Sequence, residues 1–125
     1  MIRKGFSLVL KDAAEARRVL PWIAEAGFDG IEPTFNTGAY PSPEDQGRTA
    51  GELRKICDGL GLAILGMRGG RKPWTTIPSP DPAERRAALD HTRRALEAVK
   101  IMGGDLLLVV PGQVSPAVSY DDHWK

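Results

Sequence analysis

Two stretches decide the reading of this chain: Leu62–Met67, LAILGM, and Asp105–Val110, DLLLVV. Both are nearly continuous apolar runs. A strand with one wet face alternates apolar and polar residues. A strand covered on both faces has no such need, and parallel sheets flanked by helices contain strands of this kind. Two further strand candidates precede them, Gly5–Leu10 (GFSLVL) and Gly30–Pro33 (GIEP).

Helical patterns fill the intervals. The first spans Asp12–Ala26, with Asp12 as N-cap, Glu15 in capping-box position, Ala16, Val19, Ile23 and Ala26 on one face, and Gly27 as terminator. Pro21 removes a backbone donor inside it and predicts a kink or restarted turn. The second runs from Pro43 to Gly59, capped by Ser42, with Thr49, Leu53, Ile56, Cys57 and Leu60 as its apolar stripe. The third spans Pro82–Met102, with Asp81 as cap, Glu84 as its capping-box partner and Gly103-Gly104 as terminator. Leu89, Thr92, Leu96 and Val99 read as its inner face, and Arg86, Asp90, Arg93, Arg94, Glu97 and Lys100 as the wet one. The order is βαβαβαβ, which predicts an α/β fold with a parallel sheet and right-handed crossovers.

Composition narrows the function classes. With 125 residues the chain is one domain, 1–125, and 17 Lys+Arg against 16 Asp+Glu leave a net charge of +1. That balance argues against a polybasic nucleic-acid binder. No apolar run approaches the roughly 20 residues of a membrane span. Cys57 is the single cysteine, so no intrachain disulfide framework exists and a reducing compartment fits. The opening MIRKGFSLVLKD lacks the apolar core and cleavage site of a signal peptide, and a cytoplasmic location is expected.

Ligands of parallel α/β folds meet the C-terminal ends of the strands. The loop after the first strand, LKDAAEA, is neither GxGxxG nor a P-loop. Glu32 ends the second strand, followed by Pro33, Phe35 and Asn36; it reads as a carboxylate aimed at the mouth of the sheet or as a partner of a nearby Arg. After the third comes MRGGRKPW, where Arg68, Arg71 and Lys72 among glycines suit an anion or sugar hydroxyls, or form a solvated basic loop. Trp74 reads as a wall over a sugar ring or as loop packing. Pro111 and Gly112 after the fourth read as a turn. His91 reads as a boundary surface histidine and Cys57 as core. Asp121, Asp122 and His123 imitate a metal cluster but suit a helix start. There is no HExxH, no zinc-type Cys/His spacing and no Ser-His-Asp constellation.

Ala24–Pro33 (AEAGFDGIEP), Ser79–Leu89 (SPDPAERRAAL), Met102–Val114 (MGGDLLLVVPGQV) and Ser119–Trp124 (SYDDHW), in this order, resemble the sugar phosphate isomerase/epimerase family. These are xylose isomerase-like TIM barrels that include ketose 3-epimerases. The resemblance implies a (β/α)₈ barrel of about 250 residues, of which this chain is the N-terminal half, with about four strands and the first turns of a fourth helix. It further implies a sugar or sugar phosphate as partner, with Phe6, Glu32, Met67, Arg68, Pro111 and Gly112 on the substrate side. A divalent metal (Mn, Mg, Co or Zn) is implied for the full-length family. Its ligands, two Glu, one Asp and one His, belong to later strands, so no metal site and no catalytic residue is expected in this chain. In the family such a metal polarises the ketose carbonyl while two carboxylates move the proton alpha to it. Activity of this chain alone is therefore not expected, and self-association through the open sheet edges is. Two other readings are a stand-alone half-barrel binding or assembly module and, with less support, an endonuclease IV-like nuclease; the latter calls for early strand-end histidines and a basic face. A flavodoxin- or receiver-like open sheet is the alternative fold.

Overall fold

A computed structural model describes residues 2–69, 74–112 and 120–121. Its elements are β1 (Gly5–Leu8), α1 (Ala13–Glu25), β2 (Gly30–Phe35), a 3₁₀ turn (Pro43–Asp45), α2 (Gln46–Leu60), β3 (Ala63–Ile64), β4 (Met67–Gly69), α3 (Pro82–Met102) and β5 (Leu107–Leu108). All strand pairs are parallel. The order is β1-β2-β4-β5, with β3 also pairing β2. β3 and β4 are therefore two pieces of one barrel strand, and the sheet holds four such strands in chain order. A flavodoxin-like sheet reverses its strand order part-way and carries helices on both faces. Here the order never reverses. One sheet face, with Ile31, Phe35, Ile64 and Met67, is buried in the core with residues of all three helices. The other bears the exposed Leu106, Leu108 and Val110. That is the layout of a barrel segment, with its interior face open.

The caps form largely as their sequence predicts. Asp12 accepts from the Glu15 amide at 2.8 Å, and Asp81 from the Ala83 amide at 2.8 Å. Glu15 reaches back to the Lys11 amide at 2.8 Å, one residue before the cap. Glu84 does not complete a capping box; its carboxylate takes the Ser79 hydroxyl instead. Ser42 caps the 3₁₀ turn, and the α-helix proper begins only at Gln46. α1 runs through Pro21 without a break in its assignment. Gly61 and Gly103 end α2 and α3 with positive φ, which glycine adopts without steric cost.

The inner face of α3 differs from its sequence reading. Ala88, His91, Ala95, Ala98, Val99 and Met102 are buried, whereas Leu89 and Leu96 are 47% and 54% exposed. Small alanines let the helix approach the sheet and α2 closely. The larger leucines lie on the flank, about half exposed. Ranking positions by hydrophobicity selects Leu over Ala and so rotates the helix by about one residue, or 100°.

Registers reveal the main irregularity. Ile31 pairs with Ile64, and Thr34 pairs with Arg68. Three steps along β2 are thus matched by four from β3 to β4. The extra residue is a β-bulge around Leu65–Gly66. It lies beside Pro33, which has no amide hydrogen for a ladder. Proline is tolerated in this central strand because regular pairing lapses beside it.

Below the bulge, Leu65 crosses the interior face over Gly5 and Gly30. A Cβ at Gly30 would stand 2.3 Å from the Ala63 carbonyl oxygen and 2.8 Å from the Leu65 side chain. One contact is backbone, so rotamer change cannot relieve it. Gly30→Ala should cost about 1–3 kcal/mol or more, measured as a fall in denaturation midpoint. Gly47→Ala, where nothing lies within 4 Å, should not lower the midpoint; equal effects of the two would refute the close-approach account.

Candidate functional site

The bulge determines which side chains reach the barrel interior. Strand side chains alternate, so one extra residue exchanges the faces of those that follow. Without it Met67 would stand beside Thr34. With it, Met67 enters the helix-facing core, fully buried, and Arg68 takes the interior position between Thr34 and Leu108.

A cleft of about 400 Å³ opens at this end of the sheet, lined by Val9, Thr34, Asn36, Thr37, Gly38, Ala39, Arg68 and Gly69. Thr34 Oγ1, Asn36 Oδ1 and Arg68 Nε are shielded from solvent and have no hydrogen-bond partner. Buried polar atoms are nearly always satisfied, so three on one cleft call for an explanation. A larger cavity, about 470 Å³, lies at the opposite, N-terminal end of the strands. Its Arg54 already bonds Asp58 at 2.7 Å and the Met102 carbonyl at 2.9 Å, and ligands of parallel α/β sheets meet the other end of the strands. The cleft at the C-terminal end is therefore the candidate site.

The residues singled out from sequence divide among several places. Arg68 lines the cleft. Glu32 pairs in register with Ser7 and shares the face of Thr34, one layer deeper. It does not end its strand, which continues to Phe35. It makes no ion pair with a described residue. Phe6 lies level with Ile31 on the opposite, helix-facing side and stacks edge-on against Phe28 at 5.3 Å. Met67 is core. Neither reaches the cleft, because both have the wrong strand parity. Pro111 and Gly112 follow β5, where Gly112 bridges Thr76 and so links the chain after β5 to the segment before α3. Arg71, Lys72, Asp122 and His123 lie outside the described residues. Thr34 lies one residue beyond the strand end that the sequence predicts at Pro33. Its parity with Glu32 was the available signal.

Beneath the cleft an aromatic stack holds the strand ends. Trp74 is fully buried, and its indole lies where a Gly69 Cβ would be, 2.6 Å from that position. It packs rather than walling a sugar. His91 meets Trp74 edge-on at 4.7 Å and Phe35 at 5.2 Å. His91 is therefore core, not boundary surface, because the alanine face of α3 carries it inward. Cys57 is also core, its thiol pushed up to about 12 by burial.

No helix among the described residues is long and apolar enough to cross a membrane. Among the described residues no three His, Cys, Asp or Glu side chains come together as a metal cage. The described residues therefore do not fit the divalent metal that the resemblance implies.

The family model for xylose isomerase-like TIM barrels matches residues 20–125. The chain belongs to this family. No curated protein sequence matches it. Among solved structures it resembles 3-keto-D-glucoside 4-epimerase from E. coli in its apo form, with a TM-score of 0.68 and 22% identity over 98% of this chain and 46% of that one. It also resembles D-psicose 3-epimerase from Clostridium cellulolyticum H10 with D-tagatose, with a TM-score of 0.70 and 16% identity over 98% of this chain and 44% of that one. A D-psicose 3-epimerase structure obtained in the presence of D-fructose gives 0.69 and 17%, over 98% and 44%. The chain thus spans less than half the length of these barrels. Its parallel βα repeats are those of a (β/α)₈ barrel, present here as a half barrel.

Burial depresses the pKa of His91, assisted by the Arg94 charge and opposed by a hydrogen bond to the Phe35 backbone and by Glu44 and Asp90. The unfolded chain then binds more protons than the folded one below the ordinary histidine value of about 6.5. Stability from the neutral ring is complete above that value and is lost as pH falls towards the depressed one. Melting temperature should fall from near pH 7 to near pH 5, and His91→Phe should flatten that fall; an unchanged slope in the variant would show that His91 does not set it.

Proposed function

We propose that this chain is the sugar-holding half of a sugar isomerase or epimerase barrel. The observation that carries the reading is a cleft at the C-terminal end of a parallel sheet lined by the polar residues Thr34, Asn36, Thr37 and Arg68, of which Thr34, Asn36 and Arg68 each keep a side-chain polar atom without a partner. A ketose or aldose, phosphorylated or not, presents hydroxyls that both donate and accept. Thr34 can do either, the Asn36 amide oxygen accepts, and Arg68 donates. Glu32, on the face of Thr34 one layer deeper and free of ion pairs among the described residues, can accept from a sugar hydroxyl. Family membership and the epimerase-like fold support a sugar as the ligand class. Proton transfer alpha to the carbonyl then falls to groups beyond the described residues.

Stability and binding should separate in the variants. A buried hydroxyl without a partner costs stability, and removing it while keeping its shape is neutral or favourable. Thr34→Val should therefore leave the melting temperature unchanged or raise it. The same change should weaken binding of D-tagatose or D-fructose, followed by amide chemical shifts, about fivefold to tenfold. A purely structural Thr34 predicts the reverse, a lower melting temperature with unaltered sugar binding.

A second reading, a half barrel that assembles with another, is favoured by the exposed Leu106, Leu108 and Val110 on the interior face. In it, parallel edges at β1 and β5 accept strands of a second half barrel. Sedimentation should then show a defined dimer; a strict monomer across micromolar concentrations would remove this reading.

A further inference from the structure

We propose that His91 is a positioning residue for the cleft: its neutral ring holds the Phe35–Asn36 peptide in place for sugar binding, and a proton gained by that ring releases it. The inference rests on the sugar-site reading above. His91 does not line the cleft but stands behind it, 7% exposed. Its ring meets Phe35 at 5.2 Å and Trp74 at 4.7 Å. Phe35 is flanked in sequence by Thr34 and Asn36, and Trp74 lies against Gly69, all three on the cleft. One side chain of α3 thus backs the ends of both β2 and β4. The ring also hydrogen-bonds the Phe35 backbone, a bond that favours its charged form. The ring therefore donates, and the acceptor is the carbonyl of the peptide that joins Phe35 to Asn36. Nε2 has no partner, so Nδ1 carries the proton of the neutral ring.

A protonated ring gains a second N–H, on Nε2, and the stack offers it no acceptor. A cavity of about 250 Å³ beside the stack does. It is lined by Thr37, Glu44, Asp90 and Arg94 together with His91. Asp90 already pairs with Arg94 at 3.0 Å, and Asp45 of the 3₁₀ turn with Arg48. In α2, Glu52 pairs with Arg17 and Arg54 with Asp58, and Lys55 is exposed. β2 brings only Glu32, on the opposite face, and residues 74–79 bring no charge. Glu44 is the carboxylate that draws an imidazolium, with Asp90 assisting and Arg94 opposing. Glu44 also bonds Thr37, which lines the cleft as well as this cavity. Protonation therefore pulls the ring towards Glu44, withdraws the donor from the Phe35 carbonyl and disturbs the loop after β2. Sugar binding is full while the ring is neutral, above about 6.5. It falls as pH drops through the lower value that burial imposes on His91.

The test follows the His91 ring and the Asn36 and Gly69 amides by magnetic resonance in the 125-residue chain, from near pH 8 to near pH 5. The Leu53 amide in α2 reports whether the chain, or a variant, is folded. D-Fructose is titrated at both ends of the range. Asn36 should move with the midpoint of the His91 ring while Leu53 stays native, and D-fructose should bind about threefold to tenfold more weakly at the acid end. His91→Asn, whose amide N–H replaces Nδ1–H without titrating, should bind D-fructose within about twofold at both ends. His91→Phe, which fills the stack but donates nothing, should bind weakly at both. Three results in the native chain would each overturn the role of His91 and leave the sugar site standing: an Asn36 amide that ignores the His91 titration, a ring that stays neutral until Leu53 unfolds, or a D-fructose affinity flat with pH. A pH dependence that persists in His91→Asn would do the same, since another group then titrates. No D-fructose binding at either pH would end the sugar-site reading, and this inference with it.

Discussion

One extra residue between Ile64 and Arg68 governs the arrangement of this molecule. Two-residue periodicity makes a strand's faces rigidly alternate, so a single insertion changes the fate of each side chain beyond it. Below the bulge, Ile64 faces the helices and Leu65 fills the interior over Gly5 and Gly30. Above it, Met67 faces the helices and Arg68 the interior. The bulge sits where Pro33 withholds a backbone donor from the neighbouring strand. A proline that would weaken an ordinary central strand is thus paired with a local lapse in the ladder, and the register shift there puts Arg68 beside Thr34.

The helix layer is built to keep that geometry still. α2 packs on both α1 and α3, and the alanines of α3 bring His91 against Phe35 and Trp74. Trp74 in turn occupies the space a side chain at residue 69 would take. The strand ends that bear Thr34 and Arg68 are therefore backed by a dense aromatic contact rather than by a solvated loop. Precision of a binding site depends on such backing, since a polar group displaced by about 1 Å loses much of its hydrogen bond.

The cleft itself is chemically incomplete in an informative way. It gathers hydrogen-bonding groups without partners and one unpaired cation, but no cluster of carboxylates and histidines among the described residues. That composition suits holding and orienting a hydroxylated ligand. It does not by itself supply the acid and base of an isomerisation. The division is natural for a barrel whose site is shared among the ends of many strands.

Local physics made the architecture legible from sequence. Continuous apolar runs marked strands covered on both faces, Asp12 and Asp81 marked helix starts, and Gly27 and Gly103 marked helix ends, because each signal acts through neighbours a few residues away. Arg68 was legible as a charge near a strand end for the same reason, whereas Glu32, expected at the end of its strand, lies three residues before Phe35. Facing was not. Phe6 and Met67 looked as close to the ligand side as Arg68 did, since nothing within a strand states which parity faces inward or that a bulge has shifted it. Nor did α3 reveal its buried stripe, because the closeness of sheet and helix favoured Ala88, Ala95 and Ala98 over Leu89 and Leu96. The amino-acid sequence alone determined that parallel βα units form and where they begin and end, through propensity, capping and apolar run length. Only the tertiary structure decided which residues meet in the cleft, because register and facing arise from pairing between segments distant in the chain.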